Sequence, residues 1–376
     1  MRIAIEASRI VIPKLTGVGG SALALMPHLV NLAVAHGHTI DLLAQKGQKC
    51  PFALPAGARW ITLNNLLGGA WTQTSLAYNL WRNNYGTVFF PASPIPFLTI
   101  GKMVGTVHDV AFLNEPEVYS KKERLLLLTT TRFTILHGAK IFVPTQKVAT
   151  DLISWLPSVE AKIKIVPHGV DHKFYTAKNK QGEKYLLHIG RVETKKATEE
   201  LIPMLKKIRE SGWLIPLIFM GPFGFAGDKT IEACKKLNLR FAVSSGNSWP
   251  KILEGKEVVF LDYVPLEIQK KIYEDAFAVV NLSVNEGFGL PVLEAMATKT
   301  PVIVCAGTAT AEVNEDKRCW VAPHSPEQAA ELLLFWKNKP SLVLDIAEKG
   351  YLASQEFSWE QAAAEKLKAL EESAAI

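Results

Sequence analysis

At 376 residues, 48% apolar and 21% charged, the chain is longer than one hydrophobic core usually serves and far from disordered in composition, so two globular domains are expected. Four cysteines (Cys50, Cys234, Cys305 and Cys319) form no CxxC pair. That excludes a disulfide-stapled scaffold and fits a reducing cytoplasm. Charge is uneven: residues 1–168 carry 16 Lys+Arg against 8 Asp+Glu, and the remainder carries 26 against 28, so the basic half suggests an anionic partner.

The opening "RIAIEA" reads as a buried strand, with Glu6, Arg9 and Lys14 placed where a signal peptide would stay apolar. No run approaches 18 uninterrupted apolar residues, so no membrane span is expected. Further buried strands follow at "TIDLLA", "TVFFPA", "MVGTVHDV", "KIFVPT" and "IKIVPHG". Helical patterns lie between them at "GGSALALMPHLVNLAVAHG", "KKERLLLLTTTRFTILHGA" and "KVATDLISWL". The second half repeats the alternation, with strands at "KYLLHIGR", "LIPLIFMG", "EVVFLDYV", "FAVVNLSV" and "PVIVCAG". Its helices are "ATEELIPMLKKIRESG", "KTIEACKKLNL", "LEIQKKIYEDA" and "LPVLEAMAT". Alternating β and α with continuously apolar strands predicts two doubly wound parallel-sheet domains, 1–168 and 169–354, facing a cleft. The last stretch, about 355–376, is a helix with no strand after it and is assigned back to the first domain.

Ligands of such sheets sit outside the carboxyl ends of the strands. There the second half offers "NEGFGLPVLEAMA", residues 285–297. Gly287 and Gly289 allow close backbone approach, and Pro291 suits the first turn of a helix. The helix N-terminus attracts an anion. Glu286 and Glu294, eight residues apart, can each accept hydrogen bonds from a vicinal diol. An ordinary first-turn glutamate is the plainer reading. Earlier, "LLHIGRVETKK" places Gly190 and Arg191 at a strand end, with Lys195 and Lys196 before a helix. Arg191 and one of those lysines could bridge a diphosphate.

The E-x7-E pattern, with "GR" and a lysine five residues after the arginine, resembles family 4 glycosyltransferases of the GT-B fold. The likeness extends over nearly the whole chain: "TGVGGSALAL" is similar to the family's N-terminal glycine loop, with Gly17 and Gly19, and "TVHDVAFLNEPEVYS" to its HD segment. "VPTQKVATDLISWLP" and "IKIVPHGVDHKFY" look like the interdomain approach, "FLDYVPLEIQKKIYEDA" like the base-binding stretch, and "FSWEQAA" like the crossover helix. The resemblance implies that Arg191 and Lys196 hold the donor diphosphate and that Glu294 holds the ribose. It implies Glu286 at the donor sugar, His108 beside the reacting centre, and backbone near Tyr263 and Val264 at the base. Phe288, Gly289 and Leu290 would supply N–H groups, while Asp109 would orient its loop.

These roles imply a retaining, metal-independent hexosyltransferase that needs no cofactor beyond a nucleotide-diphosphate sugar, with GDP-mannose or a UDP-sugar favoured. Its acceptor would be a glycan or a lipid-linked glycan, and no nucleic acid is involved. It would be cytoplasmic and peripheral to the inner face of a membrane, reached through Lys121, Lys122 and Arg124. Leu125 to Leu128 read more readily as a buried helix face. The alternatives are a GT-B sugar-nucleotide epimerase or phosphorylase, and a bilobed sugar-binding protein without turnover. A dehydrogenase is excluded because "GVGG" begins about nine residues after the first strand ends.

Three features depart from the family pattern. Lys299 stands where the family places a helix-ending glycine. A left-handed terminus costs a non-glycine residue about 1–2 kcal/mol, so this helix is expected to end differently. Gly20 replaces a common arginine, and the stretch around 240–260 is longer than the usual link.

Overall fold

The computed structural model describes all residues except 13–16, 66–67, 100, 177–183, 225–226, 245–248, 263 and 376. Two compact units result: Met1–Gly169 with Phe357–Ile376, and Val170–Glu356.

The first unit is built on seven parallel strands. They are β1 (Arg2–Glu6), β2 (Thr39–Gln45), β3 (Ala58–Leu63), β4 (Thr87–Phe90), β5 (Met103–Thr106), β6 (Lys140–Val143) and β7 (Ile163–Ile165). Their order is β3-β2-β1-β4-β5-β6-β7, with Ile3 registered beside Ile40 and Thr87. Central strands such as β4 are buried at every position, which is why they read as unbroken apolar runs. β3 was not among the expected strands: it alternates half-buried and exposed residues, because an edge strand buries less of itself.

The helix Gly17–Ala35 is long and apolar enough by composition to cross a membrane. Its Ala22, Leu25, Met26, Leu29, Val30 and Ala33 are buried, and it packs on β2 and on the closing helix Trp359–Ala375. That is the position of a core helix. Counting uninterrupted apolar residues missed it because Ser21, His28 and Asn31 break the run. The closing helix is held where Trp359 lies so close to Gly169 that an added Cβ would stand 2.2 Å from its backbone nitrogen.

The second unit carries β8 (Tyr185–Ile189), β9 (Leu217–Met220), β10 (Phe241–Ser244), β11 (Val258–Leu261), β12 (Ala276–Asn281), β13 (Val302–Cys305) and β14 (Trp320–Val321). Their order is β10-β11-β9-β8-β12-β13-β14, all parallel. The long 240–260 stretch supplies β10, an extra edge strand beside β11. Without it the sheet is doubly wound about β8, with chain direction across the sheet reversing between β8 and β12. A switch point of this kind opens a crevice at the carboxyl ends of the two strands.

Candidate functional site

At the switch point of the second unit two loops converge. The segment after β8 runs through Gly190 and Arg191 into a short 3-10 turn, Thr194–Lys196. The segment after β12 brings Glu286 opposite it, and the Lys196 ammonium donates to Glu286 Oε1. Both side chains are mostly buried, at 19% and 14% exposure, so water screens the pair weakly. The family resemblance assigned Lys196 to a diphosphate and Glu286 to a sugar without foreseeing that they meet. Arg191 is exposed. Beneath them His188 is fully buried on β8, its Nδ1 3.0 Å from the Val280 carbonyl and its Nε2 unpartnered. Burial, reinforced by Lys196, pushes its pKa down to about 4 and keeps the ring neutral. Sequence reading missed His188; the signal was a polar residue inside the apolar run "YLLHI".

Glu294 lies in the second turn of the helix Leu290–Ala297. Its Oε2 accepts a 2.5 Å hydrogen bond from the Tyr273 hydroxyl, and the Tyr175 hydroxyl also donates to it. Burial pushes this carboxyl up to about 7, opposed by the two tyrosine hydrogen bonds. Part of the side chain still meets solvent, which moderates the rise. The two rings stand edge to face, 5.9 Å apart. Neither tyrosine was singled out in the sequence, because each occupies an apolar position of its segment and nothing there says which carboxylate its hydroxyl meets.

A family model for glycosyl transferases group 1 matches residues 171–353, a span that holds every strand of the second sheet together with Lys196, Glu286 and Glu294. Residues 171–353 thus match a group 1 glycosyltransferase domain. Over 189 residues it is 31% identical to an uncharacterized glycosyltransferase of Methanocaldococcus jannaschii, covering 49% of this chain and 43% of that protein. It is 25% identical over 294 residues to the O-antigen chain mannosyltransferase B of Escherichia coli, covering 71% of this chain and 70% of the relative. The chain thus spans less than half the length of the first relative. Among solved structures, the sucrose-phosphate synthase of Thermosynechococcus elongatus has the same fold, with a TM-score of 0.73 at 15% identity over 99% of this chain and 98% of that one. The resemblance to GT-B glycosyltransferases read from the sequence agrees with these findings.

Within the group 1 domain, the helix that carries Glu294 starts at Gly289, whose φ of 94° lies in the left-handed region. An added Cβ there would meet Thr310 at 2.6 Å. Phe288 is buried, and Leu290 opens the helix. The other end corrects an expectation. Lys299 adopts φ 56° in place of the family's glycine, so the helix does end left-handed. Its ammonium reaches Glu348 at 2.5 Å and lies 4.7 Å from the centre of the Tyr351 ring, contacts that offset the strain. Val264 is buried, with its carbonyl accepting from Gln269 at 2.8 Å; Tyr263 lies outside the described residues.

The remaining candidates belong to the first unit. Gly17 and Gly19 open the helix Gly17–Ala35. Asp109 accepts from the Ala111 backbone at 3.2 Å, a contact that orients its loop. His108 follows β5 and is half-buried, with Nε2 2.7 Å from the Pro91 carbonyl and its ring stacked on His168 at 5.5 Å. Burial holds its pKa below the ordinary value, helped by Lys366. A cavity of about 10 Å³ lined by Ser21, Thr106, His108, His168 and Lys366 has room for one water molecule and not for a sugar. Lys366 itself is buried, and that burial brings its pKa down to about 7.

Proposed function

We propose that the chain is a retaining glycosyltransferase that moves a hexose from a nucleotide-diphosphate sugar to a glycan or lipid-linked acceptor without a metal. The reading rests on one observation: Lys196 and Glu286 meet at the carboxyl ends of β8 and β12, with Glu294 eight residues further on, in the second turn of the helix that follows. Arg191 and Lys196 take the diphosphate, and Lys196 turns from Glu286 to the more highly charged ligand. Glu286 is then free to accept from the sugar hydroxyls. The Glu294 carboxylate accepts from the two ribose hydroxyls. In the transfer, the acceptor oxygen bonds to the anomeric carbon on the face the phosphate leaves. The carbon–phosphate-oxygen bond breaks, and the acceptor proton passes to a departing phosphate oxygen. The protein's share is charge stabilisation of the diphosphate, generally the largest catalytic term. Similarity to a mannosyltransferase supports a mannosyl donor, and GDP-mannose or a UDP-sugar is the donor favoured.

The test is a thermal-shift screen of UDP, GDP, ADP and dTDP, followed by transfer from the matching donor. A ligand at 100 times its dissociation constant stabilises by about 2.7 kcal/mol. Adding EDTA should leave the transfer rate unchanged. Failure of all four nucleotides to bind would overturn the reading. Binding with neither transfer nor donor hydrolysis would favour a sugar-binding protein.

For the acceptor side, the helix Lys121–His137 of the first unit offers exposed Lys121 and Lys122 beside Leu125 and Leu126, exposed by 65% and 62%. The expectation of a buried leucine run holds only for Leu127 and Leu128, which pack on the core. Arg124 is anchored instead, its Nε donating to the Phe112 carbonyl at 3.1 Å. Basic residues beside exposed leucines suit a peripheral contact with an anionic membrane. Binding to anionic vesicles should fall with salt and with Lys121 and Lys122 changed to Ser. Indifference to such vesicles at low salt, with good transfer to a neutral soluble sugar, would remove the membrane from the proposal.

A further inference from the structure

One cluster of the first unit lies at the amino end of its sheet. His36 follows the helix Gly17–Ala35, the chain turns at Gly37, and His38 leads into β2. From the closing helix, Glu371 reaches both imidazoles with a single oxygen. Its Oε1 stands 3.1 Å from His36 Nδ1 and 2.7 Å from His38 Nε2. All three ligand atoms lie within 4.8 Å of one another.

We propose that His36, His38 and Glu371 form a binding site for a divalent first-row cation of the zinc class. Two imidazoles and a carboxylate are the donors such an ion prefers. Zinc bonds of about 2.0–2.2 Å in a tetrahedron set ligand atoms roughly 3.3 Å apart. The two Glu371 spacings need to open by tenths of an ångström, and the two imidazole nitrogens, within 4.8 Å of each other, need to close by up to about 1.5 Å, a movement that the exposed His36 can make. The cation would replace the protons now shared between the rings and the carboxylate. Metal on His38 Nε2 puts the ring proton on Nδ1, so the exposed Met1 amino group, 3.3 Å from that atom, has to turn away. All three ligands are half-buried or exposed, so the fourth position is open to water.

The site joins the first helix–strand turn to the closing helix, and it would clip that helix to the sheet. A second contact runs along the same face, where His28 and Glu360 stand 3.4 Å apart. Glu360 and Glu371 are eleven residues, close to three turns, apart and so share a helix face.

The experiment uses untagged full-length chain stripped with EDTA and dialysed. Calorimetry with zinc chloride is expected to give one site per chain, and zinc is expected to raise the melting temperature. Cobalt(II) should give the visible absorption of a site with imidazole ligands. His38→Ala and Glu371→Gln should each weaken zinc binding at least about tenfold and abolish the cobalt band. His36→Ala, on the exposed turn, serves should either of those variants fail to fold. No binding to the wild type, or binding that all three variants retain, overturns the proposal.

Discussion

Replacing Glu294 separates the ribose assignment from every other feature of the site. In the free chain its carboxyl is raised to about 7 by burial while accepting from Tyr273 and Tyr175. A ribose would add two hydroxyl donors, and hydrogen bonds to a charged acceptor are worth about 1.5–3 kcal/mol each. Glu294→Ala removes both and strands two tyrosine hydroxyls, so nucleoside diphosphate affinity should fall by about 3 kcal/mol, on the order of 100-fold. Glu294→Gln keeps the shape and a neutral acceptor and should lose roughly tenfold. The pH dependence adds a second reading. Between pH 4.5, the ordinary value, and about 7 the folded chain retains a proton that the unfolded chain has released. The stability this contributes is fully present below the lower pH and is lost as pH rises through about 7. Nucleotide reverses the preference, because only the carboxylate accepts both hydroxyls. Affinity in the wild type should therefore rise through pH 7 more steeply than in Glu294→Gln, which still reports titration of the ligand phosphates. Calorimetry at pH 6, 7 and 8, with the nucleotide and its 2′-deoxy form, measures all of this. The reasoning is refuted if Glu294→Ala binds within twofold of wild type, or if both variants lose as much as wild type on removal of the 2′-hydroxyl.

Arg191→Ala and Lys196→Ala should each weaken nucleoside diphosphate binding by about 1.5–3 kcal/mol, whereas Lys195→Ala should change it little; equal small losses by calorimetry would return all three to a solvated loop. Glu286→Ala should cut turnover while leaving nucleotide affinity the same or slightly tighter, since Lys196 loses its competing carboxylate; a large affinity loss would contradict the division between sugar and ribose. Gly221→Ala should destabilise the second unit and weaken nucleotide binding with it. The new Cβ would stand 2.1 Å from the Gly190 carbonyl at a φ of 146°, a clash that thermal melting would expose, and an unchanged melting temperature would show that the loop yields freely.

Much of this protein was legible before folding was considered. Central strands declare themselves because a parallel strand covered on both faces is apolar at every position, and β4 and β12 are buried throughout. The E-x7-E stretch identified its glycines and helix start because local backbone needs are written in local residue types. The edge strands β3 and β10 escaped because their half-exposed residues weaken the same signal. What only tertiary structure decided was pairing between segments remote in sequence. Lys196 meets Glu286 across 90 residues and Tyr273 meets Glu294 across 21. His36 and His38 share an oxygen with Glu371, more than 330 residues away. No local pattern encodes such meetings, because strand order in a doubly wound sheet determines which loops emerge side by side. The left-handed Lys299 makes the same point from the opposite side. Its residue type argued against the conformation, and two partners from another helix, Glu348 and Tyr351, made it tolerable.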